Sequence, residues 1–257
     1  MLLRRIKHHV VNENWFAVFV DFVIVVVGVY VGIEVSNWND ARQEEGHARE
    51  YLERIRADLV QDRQSTLDRR RFWTQIIEYG EAAILHSETG LLYEDSLDQT
   101  LLAYFQASQV DPYATVKTTY DELKAAGDLR LIRNAELRAS LADYYVNSTS
   151  VQAEHLFQYV PVYREYIRGI VPHRIQQFIW ANCHGVEGNM QVLRTCDLPV
   201  NDEEGRELLR LILSDEDVVR GLRFWISNLA VARNVIDGNR EQIDEMIQLV
   251  DETLADN

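Results

Sequence analysis

The sequence is poor in proline and glycine, with four prolines and twelve glycines in 257 residues. Both residue types interrupt helices and mark turns, so their scarcity favours long helices over many short strands. Positive charge is also scarce, because 26 lysines and arginines face 41 aspartates and glutamates and leave a net charge of −15. Binding to nucleic acid requires concentrated positive charge, so we expect no nucleic-acid partner.

The sequence also lacks the short motifs of common enzymes and metal sites. It contains no glycine-rich phosphate loop, no HExxH, CxxC or GxSxG pattern and no EF-hand loop. Apart from the adjacent His8 and His9, the histidines are scattered singly along the chain. We therefore predict no catalytic residues, no metal site and no cofactor, and we expect that the protein is not an enzyme.

One long apolar run lies near the N-terminus and contains only Asp21 and Glu34 as charged residues. At about 1.5 Å per residue, a helix of this length spans the hydrocarbon core of a bilayer. A buried β-strand is shorter than this run, and a signal peptide has a shorter apolar region and a small-residue cleavage site. We predict an uncleaved transmembrane helix over residues 15–36, with Trp15 and Trp38 as its interfacial anchors.

The charges on either side of this helix predict its orientation. The preceding tail, residues 1–14, carries Arg4, Arg5 and Lys7, and basic tails remain in the cytoplasm. The long domain that follows can cross a membrane with little regard to its own charges. We expect the protein in a bacterial inner (cytoplasmic) membrane, with a cytoplasmic N-terminus and a periplasmic C-terminal domain.

The two cysteines, Cys183 and Cys196, lie in a segment that contains several turn-forming residues. In an oxidising compartment this spacing predicts one disulfide that closes a short loop. Two free thiols in a cytosolic domain are the alternative. A zinc site that includes His184 is disfavoured because the usual ligand spacing is missing.

One face of the membrane helix carries small and polar residues. At 100° per residue, Asp21, Val25, Gly28 and Gly32 fall within one narrow arc. The two glycines let helix backbones approach closely, and a carboxylate inside a bilayer usually faces a partner or a water-filled path. We predict that this face self-associates or packs against another membrane protein, so the expected partners are the lipid bilayer, a second copy or an unidentified membrane or periplasmic protein.

Two roles for Asp21 fit this position. In the first it is hydrogen-bonded or protonated within a homo-oligomer interface, and the protein is a membrane-anchored scaffold or sensor. In the second it carries protons or cations, as in stator-type membrane proteins that share this layout of tail, helix and periplasmic domain. We favour the first role.

The chain beyond Trp38 remains compatible with helix to about Ser87, and its apolar residues follow three- and four-residue spacing. This pattern predicts an all-α fold in which the transmembrane helix leads into a helical stalk over residues 37–88. The stalk is expected to be continuous, or broken or bent near Gly46. An extracytoplasmic helical bundle is predicted over residues 89–257.

Several residues predict where the helices of the bundle begin and end. Gly90 is expected to end the stalk, and Pro161 and Pro172 are expected to kink or restart a helical region over residues 149–182. The remaining signals are a C-terminal cap at Gly127, an N-terminal cap at Asn134, and capping boxes at Thr119 with Glu122 and at Ser214 with Asp217.

Motifs in residues 4–62 and 118–145 resemble those of a large family of bacterial single-pass membrane proteins to which no activity is assigned. The shared features are a basic start, Asn14-Trp15, the acid at Asp21, Gly28, Asn37-Trp38-Asn39-Asp40, Tyr51-Leu52, Asp58-Leu59 and the stretch TYDELKAAGDLRLIRNAELR. Members of that family more often carry glutamate in place of Asp21 and glutamine in place of Glu34. The resemblance implies a single-pass membrane protein and implies no particular activity.

Overall fold

The computed structural model describes residues 15–111, 114–147, 160–188 and 190–256. This part of the chain is helical, as predicted, with one small β-hairpin. The helices are α1 (Trp15–Thr89), α2 (Leu97–Gln106), α3 (Thr118–Ala126), α4 (Ala135–Ala142), α5 (Val162–Ile170), α6 (His173–Asn182), α7 (Asp202–Ser214) and α8 (Glu216–Asp256). Strands β1 (His184–Glu187) and β2 (Met190–Leu193) pair antiparallel, with His184 opposite Leu193.

Helix α1 joins the apolar segment to the bundle without interruption. It runs from Trp15 to Thr89 and continues through Gly46, so the break considered there is absent. Gly90 follows with a φ of 74°, a left-handed conformation that glycine adopts without steric cost, and this confirms the predicted helix end. From Ala48 onward one side of α1 is buried, so the same helix that begins in the apolar segment forms the centre of the bundle.

Helix α8 packs antiparallel against α1 along most of its length. Three arginines on α1 reach three aspartates on α8, and successive pairs lie two helical turns apart along each helix. The pairs are Arg56–Asp251 at 2.6 Å, Arg63–Asp244 at 2.6 Å and Arg70–Asp237 at 2.7 Å. We call these three pairs the arginine–aspartate ladder.

All but one of the buried side chains of α8 recur at alternating intervals of three and four residues, which is the repeat of a coiled coil. They are Val218, Leu222, Trp225, Leu229, Ala232, Ile236, Asn239, Ile243, Met246, Val250 and Thr253. Ile226, next to Trp225, is also buried and falls outside this repeat. The core divides into two apolar clusters along this axis. One surrounds Leu52, Ile55 and Leu59 of α1, and the larger one surrounds Phe72, Trp73 and Ile76.

Both predicted capping boxes are wrong, although the helices that they announced exist. Helix α3 follows Lys117 without a side-chain cap, and Asp58 of α1 accepts a hydrogen bond from the Thr119 amide at 3.0 Å. At the start of α8 the cap is Asp215, which accepts from the Asp217 amide at 2.9 Å. The Ser214 hydroxyl instead donates to the carbonyl of Leu211 in α7.

The other predicted boundaries in the described residues are confirmed. Gly127 ends α3 with a φ of 77°, and Asn134 Oδ1 accepts from the Leu137 amide at the start of α4. Pro161 and Pro172 directly precede α5 and α6. The first part of the region predicted as helical over 149–182 lies outside the described residues, as does the basic tail.

Candidate functional site

The N-terminal part of α1 is long and apolar enough to cross a membrane. An 18-residue window of this helix has a mean hydropathy of 2.4, and none of the window is buried by the rest of the fold. Trp15 and Trp38 flank this segment and are 70% and 63% exposed. The described residues therefore provide no cover for the apolar side chains of the segment.

The predicted interface residues lie on this uncovered segment. Val25 is half-exposed, and a Cβ atom added at Gly28 or Gly32 would have no neighbouring atom within 4 Å. Asp21 is partly exposed on the same helix. Asn14, the last residue of the tail, lies outside the described residues. The fold thus leaves this face of the helix open, with room for the backbone of another helix.

Buried polar residues separate the two apolar clusters along the contact between α1 and α8. They are Asp62 and Thr66 on α1 and Asn239 on α8. The arginine–aspartate ladder fixes the register of the two helices, and this register places Asn239 opposite residues 66–69 of α1. We call these three residues the polar layer.

Asp62 is the most constrained group of the polar layer. Its Oδ1 accepts a hydrogen bond from the Val116 amide at 2.7 Å, and its Oδ2 accepts one from the Tyr144 hydroxyl at 2.9 Å. The Thr66 hydroxyl donates to the Asp62 carbonyl at 2.8 Å. Asp62 therefore holds two separate segments, one before α3 and one after α4, against the central helix.

Burial raises the pKa of the Asp62 carboxyl from its ordinary value of 3.8 to about 7. The two donated hydrogen bonds and the charge of Arg69 oppose this change, while the charge of Asp58 adds to it. A carboxyl with such a pKa exchanges its proton near neutral pH. The packing at the centre of the bundle is therefore linked to proton concentration.

Asn239 contributes an amide group whose oxygen and nitrogen are buried and have no hydrogen-bond partner among the described residues. A buried amide without partners destabilises a fold, since it loses its bonds to water without replacement. In coiled coils a polar residue at a core position fixes register and partner choice at a cost in stability. Asn239 occupies such a position in the repeat of α8.

The predicted disulfide is present. Cys183 and Cys196 are bonded, with their Cα atoms 5.4 Å apart. The segment between them is the β-hairpin, where the sequence had indicated a loop. Two glutamines of α2 anchor this unit, because Gln106 Nε2 donates to the Cys183 carbonyl at 2.9 Å and Gln99 Nε2 donates to the Cys196 carbonyl at 3.0 Å.

The surface of the described residues has open grooves. One of about 520 Å³ lies between α4 and α8 and is lined in part by Glu136, Asp143 and Glu245. No group of three or more histidine, cysteine, aspartate or glutamate residues suited to a metal ion occurs in the described part of the chain. The groove therefore offers acidic side chains without a metal-binding arrangement.

None of the three residues of the polar layer is among the site residues predicted from the sequence. A signal for them was present, because the spacing of Leu52, Ile55 and Leu59 continues through Asp62 and Thr66, where polar residues replace apolar ones. Asn239 likewise continues the repeat of α8. A polar residue that keeps the phase of an apolar repeat points to a buried polar contact, and this criterion finds all three residues.

No family model matches the chain, and neither a curated protein nor a solved structure shows significant similarity to it.

Proposed function

We propose that the protein is a membrane-anchored, self-associating helical scaffold or sensor without catalytic activity. Residues 15–36 cross the bacterial inner membrane, the basic tail lies in the cytoplasm and the helical bundle lies in the periplasm. The observation that carries this proposal is the single helix α1, which leaves its apolar end uncovered and forms the centre of the bundle at its other end.

The uncovered face supports self-association. Lipid tails and a second helix cover apolar side chains equally well. Helices in a bilayer therefore associate through close backbone packing and polar contacts, not through the burial of apolar surface. Gly28 and Gly32 supply the space for close packing. Asp21 supplies a polar group whose burial against a partner helix costs less than its exposure to lipid.

The continuity of α1 gives the two ends of the molecule a mechanical connection. At about 1.5 Å per residue, the helix extends about 78 Å from residue 36 to Glu88. A rotation or shift of the helix in the membrane is passed directly to the packing of α1 against α8. This connection suits a protein that relates association in the membrane to the state of its periplasmic bundle.

The disulfide supports the periplasmic location of the bundle, because structural disulfides persist in oxidising compartments. The tail charges of Arg4, Arg5 and Lys7 support the same orientation through the positive-inside rule. The resemblance to single-pass bacterial membrane proteins agrees with it and adds no activity.

The mass of the detergent-purified protein, corrected for bound detergent by light scattering, tests self-association. We expect an oligomer of defined size for the wild type and a loss of that oligomer in Gly28→Leu with Gly32→Leu. The matched control is Val23→Leu with Val26→Leu, which adds bulk to the opposite face of the helix. A monomeric wild type, or equal masses for both double variants, would contradict the proposed interface.

A second candidate function is the conduction of protons or cations through Asp21. The observation that favours it is the presence of this carboxylate within the apolar segment. Proton uptake by proteoliposomes under an imposed potential distinguishes the two functions. Conduction predicts a flux in the wild type that Asp21→Asn abolishes. The scaffold or sensor predicts no flux above that of empty liposomes and an oligomer that Asp21→Asn leaves largely intact.

A further inference from the structure

Arg164 and Arg168 stand one turn apart on α5, so their guanidinium groups share one surface. Arg164 Nη1 donates to the Ser108 carbonyl at 2.7 Å. Arg168 Nε donates to the Ser108 hydroxyl at 3.2 Å, and its Nη2 donates to Gln109 Oε1 at 3.0 Å. All of these acceptors are neutral groups.

Neither arginine has a carboxylate partner in the described part of the chain. This is unusual for an acidic protein in which most described arginines form ion pairs. Burial lowers the pKa of both groups, and the charge of Arg164 lowers the pKa of Arg168 further, to about 10. No acid among the described residues opposes these shifts, so this part of the chain holds two positive charges close together without a compensating carboxylate.

A purely structural role accounts for part of this arrangement. Ser108 and Gln109 follow the carboxyl end of α2, where a helix presents about half a negative charge and where arginines bind favourably. Half a charge does not balance two guanidinium groups. Each guanidinium also has five N–H donors, and the bonds to Ser108 and Gln109 use few of them.

The Arg168 side chain is fixed in position before any ligand arrives. Its guanidinium carbon packs against both Phe105 and Trp180, at 4.9 Å and 5.2 Å from their ring centroids. Gln109 Nε2 donates to Gln106 Oε1 at 3.1 Å, which orients the Gln109 oxygen toward Arg168. A side chain that is already ordered loses little entropy on binding, and the planar donor edge of arginine matches carboxylate and phosphate oxygens.

This cluster lies at the end of the bundle that is remote from the apolar segment. Tyr163 of α5 packs against Gly221 near the start of α8, where a Cβ atom would approach the Tyr163 Cβ to 3.4 Å. Arg223, two residues further along α8, pairs with Glu88 at the end of α1 at 3.0 Å. In the proposed orientation, the two arginines are far from the membrane surface and face the periplasm.

We propose that Arg164 and Arg168 form a binding site for a small oxyanion that presents a carboxylate or phosphate group. The unused N–H donors of the two guanidinium groups bind the oxygens of the anion, and its negative charge compensates the pair. The site does not depend on self-association in the membrane. If the protein is a sensor, as proposed above, this is the site for its ligand.

The full-length protein in detergent, at pH 7.5 and constant ionic strength, is titrated with sodium phosphate, sodium succinate or sodium chloride. Thermal unfolding and calorimetry measure binding. We expect phosphate or succinate to bind saturably and to raise Tm by roughly 5 °C at about 100 times its Kd, with no such rise in chloride. The anion that binds identifies the ligand as a phosphate or a carboxylate.

Arg164→Gln tests the site with little risk to folding, since among the described residues this side chain makes one hydrogen bond, to the Ser108 carbonyl. We expect the affinity of Arg164→Gln for the anion to be about tenfold or more below that of the wild type. The affinity of Arg164→Lys should lie between those of the wild type and Arg164→Gln. The control variant is Arg240→Gln on α8, which changes the net charge by the same amount. At about 1.5 Å per residue, position 240 lies about 28 Å along α8 from Gly221, the glycine that contacts α5. We expect this variant to bind the anion as the wild type does. Equal affinities in Arg164→Gln and Arg240→Gln, or no binding of either anion by the wild type, would overturn the proposal.

Discussion

The Tyr144 hydroxyl donates a hydrogen bond to Asp62 Oδ2 at 2.9 Å, and both side chains are fully buried. Because burial raises the pKa of Asp62 to about 7, the folded protein binds a proton between pH 4 and 7 that the unfolded chain releases. Stability linked to this group therefore falls as the pH rises through that range and is constant above it. From pH 7.5 to 5.5 we expect a gain of about 2 kcal/mol from Asp62.

Asp62→Asn keeps the shape of the side chain and removes its charge. We expect this variant to be more stable than the wild type at pH 7.5 and to lose the gain on acidification. Urea denaturation at pH 5.5, 6.5 and 7.5 measures both effects. The control is Asp68→Asn, the same change on the same helix. Asp68 is not among the charges that shift the pKa of Asp62, so this variant should retain the pH dependence of the wild type. The same pH dependence in Asp62→Asn would contradict this account.

Gly80 is required by the close packing of α1 against α8. A Cβ atom at this position would overlap Cγ1 and Cδ1 of Ile226, a residue that is itself buried. We expect Gly80→Ala to destabilise the fold by about 1–3 kcal/mol, because the side chain or the helix must shift. Thermal or urea unfolding measures the change.

The matched control for this prediction is Gly46→Ala on the same helix, where an added Cβ meets no atom within 4 Å. Alanine favours a helix over glycine, so this variant should gain up to about 1 kcal/mol. Ile226→Ala removes the atoms that would overlap the new Cβ. It should therefore lower the free energy of unfolding less in the Gly80→Ala background than in the wild type. If the effects of Gly80→Ala and Ile226→Ala on stability were strictly additive, the contact with Ile226 would not be the reason that glycine is required at position 80.

Local signals in the sequence predicted those features that depend on neighbouring residues. The apolar run, the left-handed Gly127 and the Asn134 cap are set by a few consecutive residues, and the structure bears them out. The capping box at Thr119 failed because Asp58, which is distant in sequence, reaches the Thr119 amide. A tertiary contact of this kind has no signal within the turn that it caps.

The candidate sites show the same division. The cysteine pair was found from compartment and spacing, but the hairpin between them depends on anchoring by Gln99 and Gln106 of α2. The two arginines of α5 carried no signal in the sequence. Their significance lies in the lack of a carboxylate partner among the described residues, which depends on segments that are far apart in the chain. Asp62 continues the apolar repeat of α1, but the groups that bind its carboxylate, the Val116 amide and the Tyr144 hydroxyl, lie more than 50 residues away in the chain.

The disulfide is expected to contribute substantially to the stability of the bundle. It joins Cys183 and Cys196, which are 13 positions apart in the sequence, and the entropic model assigns about 3 kcal/mol to a loop of this size. We expect Cys183→Ala with Cys196→Ala to lose about 2–4 kcal/mol in urea denaturation. Alkylation of the protein in intact cells tests its location, because a periplasmic bundle should show protected cysteines until a reductant is added.

The rungs of the arginine–aspartate ladder are individually weak. Arg63 and Asp244 are about half-exposed, at 50% and 45% of their side-chain surface, so water and salt screen their attraction. A double-mutant cycle with Arg63→Gln and Asp244→Asn should give a coupling below about 1 kcal/mol that decreases in high salt. A coupling of several kcal/mol would show that the pair is not screened.

The pairs of the arginine–aspartate ladder repeat every two helical turns. The ladder alone therefore does not distinguish the observed register of α1 and α8 from one in which the helices are shifted by two turns. Asn239 breaks that repeat, because the observed register places it opposite residues 66–69 and a shift would carry it into an apolar cluster. We therefore expect Asn239→Val to raise the stability of the bundle by about 1–2 kcal/mol through removal of an unpaired buried amide, while the register becomes less unique. Urea denaturation measures the first effect, and spin labels at Arg63 and Asp244, whose separation reports the register, measure the second. Ile236→Val, one turn away in the apolar cluster, should be less stable than the wild type. A loss of stability in both variants would mean that the Asn239 amide is paired in solution.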